Sequence, residues 1–142
     1  MTKDEILEKG FFNDRRWLSN MWPCKVFFNN LLFPSVENAY QSQKNPRLEA
    51  KFVDITPIEA KRKSKTVTIV PDWEARRLRV MRTLIAIKFE DQELAQQLID
   101  TGDEPLIEYN WWGDTFWGVC SGKGENTLGK MLMKQRDYLT LP

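Results

Sequence analysis

Histidine is absent from the 142 residues of this sequence. Its absence excludes histidine–carboxylate relays, Cys–His and Ser–His nucleophile pairs, and histidine-based metal sites in one step. Any chemistry must run on Asp, Glu, Lys, Tyr, Cys or water. Cysteine is scarce too: Cys24 and Cys120 are too few and too far apart for a zinc site or a disulfide framework, and they read as free, buried thiols. No apolar run approaches the ~20 residues that a membrane span needs, so no membrane partner is expected. The opening stretch MTKDEILEKG is acidic and lacks the apolar core of a secretory signal, which makes the cytoplasm the expected compartment. An excess of one charge is also missing. Lys and Arg number 21 against 20 Asp and Glu, so no global basic field advertises nucleic-acid binding as the sole function.

What is present is the composition of an ordinary globular protein, 42% hydrophobic and 29% charged, at a length that predicts one domain with one core over residues 1–142. The positive charge is unevenly placed. Lys61, Arg62, Lys63 and Lys65 form one cluster, and Arg76, Arg77, Arg79 and Arg82 another. Such runs either face solvent or clamp phosphate, with Arg as a bidentate fork and Lys as a point charge.

Along the chain, KVFFNNLLF has two apolar runs around Asn29-Asn30, residues that tolerate positive φ, and it predicts a β-hairpin ended by Pro34. Ser35 then stands where a helix N-cap belongs, and Val36, Ala39 and Tyr40 give the inward spacing of a helix over about 36–44. Thr56, Pro57 and Glu59 form a capping box with proline at the first helical position. The longest helix is predicted in DWEARRLRVMRTLIAIKFEDQ, with Leu78, Met81, Leu84, Ile85 and Phe89 on its inward stripe and arginines on its other face. A further helix follows Asp91 and stops at Gly102. PLIEYN and TFWGVC read as short strands around WWGD. The glycine-rich SGKGEN leads into a last helix with Leu128, Met131, Leu132 and Leu139 facing inward.

Four stretches are candidates for chemistry. Glu37 and Lys44 lie two helical turns apart, so their side chains leave along nearly the same face, either as two solvated charges or toward one cleft. Trp111, Trp112 and Trp117 fall within seven residues that also hold Asp114; aromatic walls and a poorly solvated carboxylate suit a planar base, while the alternative is core packing around a turn. SGKGEN offers a helix N-terminus that attracts phosphate, although it has neither P-loop nor dinucleotide-binding spacing, and a plain capped helix start explains it equally well. In WLSNMWP, Ser19 and Asn20 sit between tryptophans, to hydrogen-bond a ligand edge or to make a turn.

Taken together, WLSNMWP, SVENAYQSQK, AKRKSK, the DW ahead of the long helix, TGDEPLIE, DTFWG and GENTLGKMLMKQR resemble, in order and over about residues 11–137, the NADAR (YbiA-like) proteins. The resemblance implies a compact, mainly helical α+β domain with a few short strands. It implies an N-glycosidase that needs no metal or other cofactor, acting on N-ribosyl compounds: phosphorylated riboflavin-pathway intermediates or ADP-ribose attached to guanine in nucleic acid. No obligate protein partner is implied. Glu37, Trp73 and Asp114 match the family's active-site trio, with Ser19, Asn20, Trp22, Tyr40, Trp117, Gly118 and Asn126 as expected substrate-binding residues. The two carboxylates would divide charge stabilisation or water activation from proton donation, in an unassigned order. Lys44 admits a second route, attack on the anomeric carbon and a Schiff base with the opened sugar. One position departs from the family, which often has histidine after the motif glutamate where this chain has Asn38, so that histidine's role does not carry over. The rival expectations are a non-catalytic module that binds ADP-ribose or NAD, and a nucleic-acid-binding domain that uses the basic clusters.

Overall fold

A computed structural model describes residues 1–142. In chain order the elements are α1 (Lys3–Lys9), a 3₁₀ turn (Asn13–Leu18), strands β1 (Val26–Phe28) and β2 (Leu31–Phe33), α2 (Val36–Ser42), a 3₁₀ segment (Pro46–Phe52), α3 (Pro57–Lys63), a short 3₁₀ turn (Ser64–Thr66), α4 (Trp73–Lys88), α5 (Gln92–Asp100), β3 (Tyr109–Asn110), β4 (Val119–Cys120) and α6 (Thr127–Leu139). Helices dominate and the strands form two small, separate sheets, the mainly helical α+β class expected. No helix is long and apolar enough to cross a membrane. The chain divides into two units, residues 20–91 and residues 1–19 with 92–142.

In the 20–91 unit, Asn29 and Asn30 take φ of 51° and 62°, the left-handed pair that a two-residue hairpin turn requires, and β1 and β2 pair antiparallel with Val26 opposite Phe33. α2 starts at Ser35, whose Oγ accepts the Asn38 N–H at 3.0 Å. It ends at Ser42, two residues before the expected boundary, because Gln43 N–H bonds the Tyr40 carbonyl and Lys44 N–H the Gln41 carbonyl in a tighter last turn. α2 packs against the 3₁₀ segment 46–52, α3, α4 and the hairpin. Asn38, fully buried, cements that arrangement: its Nδ2 donates to the carbonyls of Phe52 and Ile55, each at 2.9 Å, and its Oδ1 accepts the Ser35 hydroxyl at 2.6 Å. α3 opens with the expected capping box, Thr56 Oγ1 accepting from Glu59 N–H and Glu59 reaching back to Thr56 N–H. α4 buries Trp73, Val80, Met81, Leu84, Ile85 and Lys88. Leu78, expected on its inward stripe, is 37% exposed, and Val80 takes the inward place instead. Between α4 and β1, Lys88 is 2% exposed and Cys24 is half-buried rather than buried.

In the other unit, α5 follows Asp91 directly, and Gly102 at φ +61° ends its C-terminal turn. α5 and α6 pack together around Leu94, Leu98, Leu128 and Leu132. Arg136 is 7% exposed and donates to Thr101 Oγ1 at 2.9 Å and to the Glu104 carbonyl at 2.8 Å, so its charge sits in a polar cage that ties α6 to the loop after α5. The two expected strands shrink to two residues each and pair in parallel, Tyr109 with Val119 and Asn110 with Cys120. Asn110 explains the brevity. Its buried amide takes the Asp114 N–H at 3.0 Å and donates to the Asp114 carbonyl at 2.8 Å, folding the WWGD loop over the strand ends.

Candidate active site

The 20–91 unit assembles its site residues around α2. Glu37 N–H, one of the helix-start donors with no partner inside the helix, donates to the Asn20 carbonyl at 2.9 Å. This bond ties the WLSNMWP loop to the motif glutamate. The Asn20 side chain turns the other way, its Nδ2 lying 3.6 Å from Met81 Sδ. One turn beyond Glu37, Gln41 Nε2 donates to Glu37 Oε1 at 2.8 Å. Gln41 is 6% exposed, and its own Oε1 is buried without a hydrogen-bond partner.

Lys44 lies past the end of the helix, yet it shares Glu37's electrostatic surroundings. Burial pushes its amine below the ordinary lysine value; the Glu37 carboxylate opposes that, while Lys61, Lys65 and Arg77 reinforce it. Lysine 44 is therefore more readily neutral than a surface lysine. Its backbone carbonyl is held by Val70 N–H at 2.8 Å, which anchors the segment that leads into α4.

Trp73 opens α4, 4% exposed, and meets the Tyr40 ring edge-on at 5.0 Å between centroids and 60° between planes. The Arg76 guanidinium lies 5.9 Å from the Trp73 ring centroid, donates to the Gln43 carbonyl at 3.4 Å and approaches Asp72 at 3.7 Å. An arginine over an indole face is a stacking contact as well as a charge, so Arg76 is pinned beside the aromatic pair. The structure thus brings Asn20, Glu37, Tyr40, Lys44 and Trp73 into one neighbourhood, and it adds Gln41 and Arg76. Trp22 is a half-buried member of the same unit. The sequence signal for Gln41 is its spacing of four from Glu37 on a helix.

The remaining expected residues belong to the other unit. Ser19 caps the 3₁₀ turn Asn13–Leu18, its N–H bonded to the Arg16 carbonyl at 2.9 Å. Asp114 Oδ1 accepts the N–H groups of Phe116 at 3.1 Å and Trp117 at 2.9 Å, an Asx turn that fixes the carboxylate's position. Trp117 meets Phe116 edge-on at 4.9 Å. Trp111 and Trp112 are 44% and 47% exposed and make a separate aromatic set with Phe12, which stacks on Trp111 at 5.4 Å beneath the Lys3 ammonium at 4.6 Å from the Trp111 ring. Gly118 is buried where a Cβ would run into the Glu108 carbonyl, so its lack of a side chain permits a close backbone approach. Asn126 spends its amide on the main chain, accepting Glu108 N–H and donating to the Leu106 carbonyl, both at 3.0 Å.

The SGKGEN loop enters α6 through main-chain bonds to the preceding segment. Four successive N–H groups at the entry of α6, from Glu125 to Leu128, donate to the carbonyls of Thr115, Gly118, Phe116 and Trp117 at 2.8–3.2 Å. These bonds occupy the Thr127 and Leu128 amides of the first helical turn, while Asn126 at the N-cap makes no side-chain capping bond. No three Cys, Asp or Glu side chains come together to hold a metal ion.

The NADAR domain family matches residues 9–140. The N-glycosidase YbiA of Escherichia coli (strain K12) is 32% identical over 127 residues, covering 84% of this chain and 78% of the relative. An N-glycosidase of Nostoc punctiforme is 33% identical over 131 residues, covering 85% and 83%. A riboflavin biosynthesis protein of Vibrio vulnificus is 36% identical over 130 residues, 87% of this chain, but this chain spans only 35% of that relative's length. Among solved structures, the NMR structure of the E. coli protein YbiA matches with a TM-score of 0.79 at 28% identity, covering 89% of this chain and 79% of that one. The match over almost the whole sequence, in fold as in residues, establishes that this chain belongs to the NADAR domain family.

Proposed function

We propose that this protein is an N-glycosidase that hydrolyses the base–ribose bond of a phosphorylated N-riboside. The observation that carries the reading is the neighbourhood of Glu37, Lys44, Trp73 and Arg76: a carboxylate, a lysine amine with lowered proton affinity, an aromatic wall and a pinned guanidinium. Each matches a part of such a substrate. The planar base suits Trp73, the phosphate suits Arg76 and the nearby Lys61 and Lys65, and the positive charge that develops at C1′ as the bond breaks suits Glu37. The names of the relatives, N-glycosidase and riboflavin biosynthesis protein, support the same reaction class.

Two chemical routes fit these groups. In the first, Glu37 stabilises the oxocarbenium-like centre, a water adds at C1′, and a second acid protonates the departing base nitrogen; the resemblance offers Asp114 for that acid. In the second, the neutral Lys44 amine adds at C1′, the base leaves with the proton that the amine gives up, and the ring oxygen departs, taking a proton from water, to give a protonated Schiff base and hydroxide. Water then adds to the imine carbon and releases the sugar and the lysine. The reaction needs no cofactor on either route. The substrate is either an early riboflavin-pathway ribosylamino-pyrimidine phosphate or ADP-ribosylated guanine, free or in nucleic acid.

The test is turnover followed by mass spectrometry on both compounds, with the native chain and with Glu37→Gln. Release of free base from one of them, lost in the variant, supports the glycosidase reading and selects the substrate. Saturable binding of ADP-ribose without turnover, undiminished by Glu37→Gln, overturns it in favour of a binding module.

A further inference from the structure

Gln41 is the side chain beside Glu37 whose burial has no packing rationale. It is 6% exposed in the last turn of α2, where leucine or methionine would fill the space without burying polar atoms. One end of its amide donates to Glu37 Oε1 at 2.8 Å, and the other is a buried oxygen with no partner. A fold keeps such a half-satisfied group where the satisfied half does something. The amide cannot simply turn over, because that would set its oxygen against the Glu37 carboxylate.

Resting on the glycosidase reading, we propose that Gln41 is a positioning residue: its N–H holds the Glu37 carboxylate ionised and in one orientation, so that Glu37 opposes the positive charge at C1′ and does not protonate the leaving base. An N–H donor strengthens as its acceptor gains negative charge, so the bond favours the carboxylate over the acid. The task of proton donation then falls to another group.

The elements packed against α2 also carry charge: Lys44 follows its C-terminus, the 46–52 segment holds Arg47, Glu49 and Lys51, α3 holds Glu59, Lys61, Arg62 and Lys63 with Lys65 in the turn after it, and α4 holds Arg76 and Arg77. Glu49 accepts from Gln43 and Asn29, and Arg76 and Arg77 approach Asp72 and Glu74. A change confined to residue 41 leaves all of these in place, so its effect on Glu37 reports the amide.

The experiment compares the native chain with Gln41→Met, which keeps length and burial but has no donor. The titration of the Glu37 carboxyl is followed by ¹³C NMR, its resonance assigned by its loss in Glu37→Gln, and the pH profile of kcat/KM is measured on the base-releasing substrate. The expected result is a rise in the Glu37 midpoint on the order of one pH unit and an equal upward move of the acid limb. With it comes a fall in kcat of about tenfold to a hundredfold, with KM nearly unchanged. A Gln41→Met protein that melts like the native one, with midpoint and acid limb unmoved, overturns the proposal. Should Gln41→Met fail to fold, Gln41→Leu, which likewise has no donor, takes its place, and an unmoved midpoint there also overturns the proposal. Because the NMR titration needs no substrate, a midpoint that rises in a protein that cleaves neither compound supports the positioning and overturns only the glycosidase reading.

Discussion

Asn38 and Phe52 are joined through a buried amide, Asn38 Nδ2 donating to the Phe52 carbonyl at 2.9 Å, with the Ile55 carbonyl taking the other hydrogen at the same distance. The residue that stands where relatives often carry histidine is thus a brace between α2 and the segment ahead of α3. Asn38→Ala leaves two carbonyls and the Ser35 hydroxyl short of partners, and a loss of about 2–4 kcal/mol in unfolding free energy is expected. Urea denaturation measures it. Asn38→His has a single N–H in its neutral form, which cannot serve both carbonyls, and is expected to destabilise as well.

Lys44 provides the second prediction. Burial and the neighbouring Lys61, Lys65 and Arg77 lower its proton affinity against the pull of Glu37, so its neutral form is more abundant near neutrality than that of a surface lysine. If the Schiff-base route operates, cyanoborohydride added during turnover links the opened sugar to the Lys44 peptide, as peptide mass spectrometry reads directly. Trapping is expected to increase with pH as the amine deprotonates. Lys44→Arg abolishes the adduct, and Lys61→Glu slows trapping by restoring a higher proton affinity to Lys44.

A third prediction concerns Lys88, which no step of the proposed reaction uses. Burial lowers its pKa to about 8 from 10.5, with the charge of an ionised Cys24 acting the other way. Below about 8 the amine is protonated in both folded and unfolded chains and its buried charge is a constant penalty. Between about 8 and 10.5 the unfolded chain binds more protons, so this group makes the protein more stable as pH rises through that window. Lys88→Met is expected to add about 1–3 kcal/mol at pH 7 and to flatten the rise in stability above pH 8, as thermal melts across pH will show.

Gly118 supplies the fourth. A methyl group there would run into the Glu108 carbonyl oxygen and lie 2.9 Å from Asn110 Nδ2, and backbone does not yield as a flexible side chain does. Gly118→Ala is expected to cost about 1–3 kcal/mol, seen as a lowered melting temperature. A substitution at Gly113, whose added Cβ meets nothing within 4 Å, reports the separate cost of its φ of +86°.

Local chemistry was the legible part of the fold. Asn29-Asn30 gave the hairpin because tolerance of positive φ belongs to the residue itself, and Ser35 and the Thr56–Glu59 box gave two helix starts because a cap bonds within three residues. Features set by distant partners were not legible. Leu78 carries the right spacing for an inward position and is exposed, because packing around Val80 and Met81 selects a slightly different stripe. The strands around WWGD shorten because the Asn110 amide closes the loop, and nothing in the run of residues announces that. In the candidate site, the Glu37 and Lys44 spacing pointed to a shared environment even though the helix ends before Lys44. Gln41 is not legible as a site residue from the sequence, since an amide's importance depends on what it touches.

The entry to α6 has one more consequence. Helices ordinarily open from their ends, where the first amides answer only to water, but here the amides from Glu125 to Leu128 hang on the carbonyls of residues 115–118. Deuterium should therefore enter those four positions late and together with the loop segment 115–118 that they grip, and the C-terminal end around Thr140 should be the side from which the helix unravels.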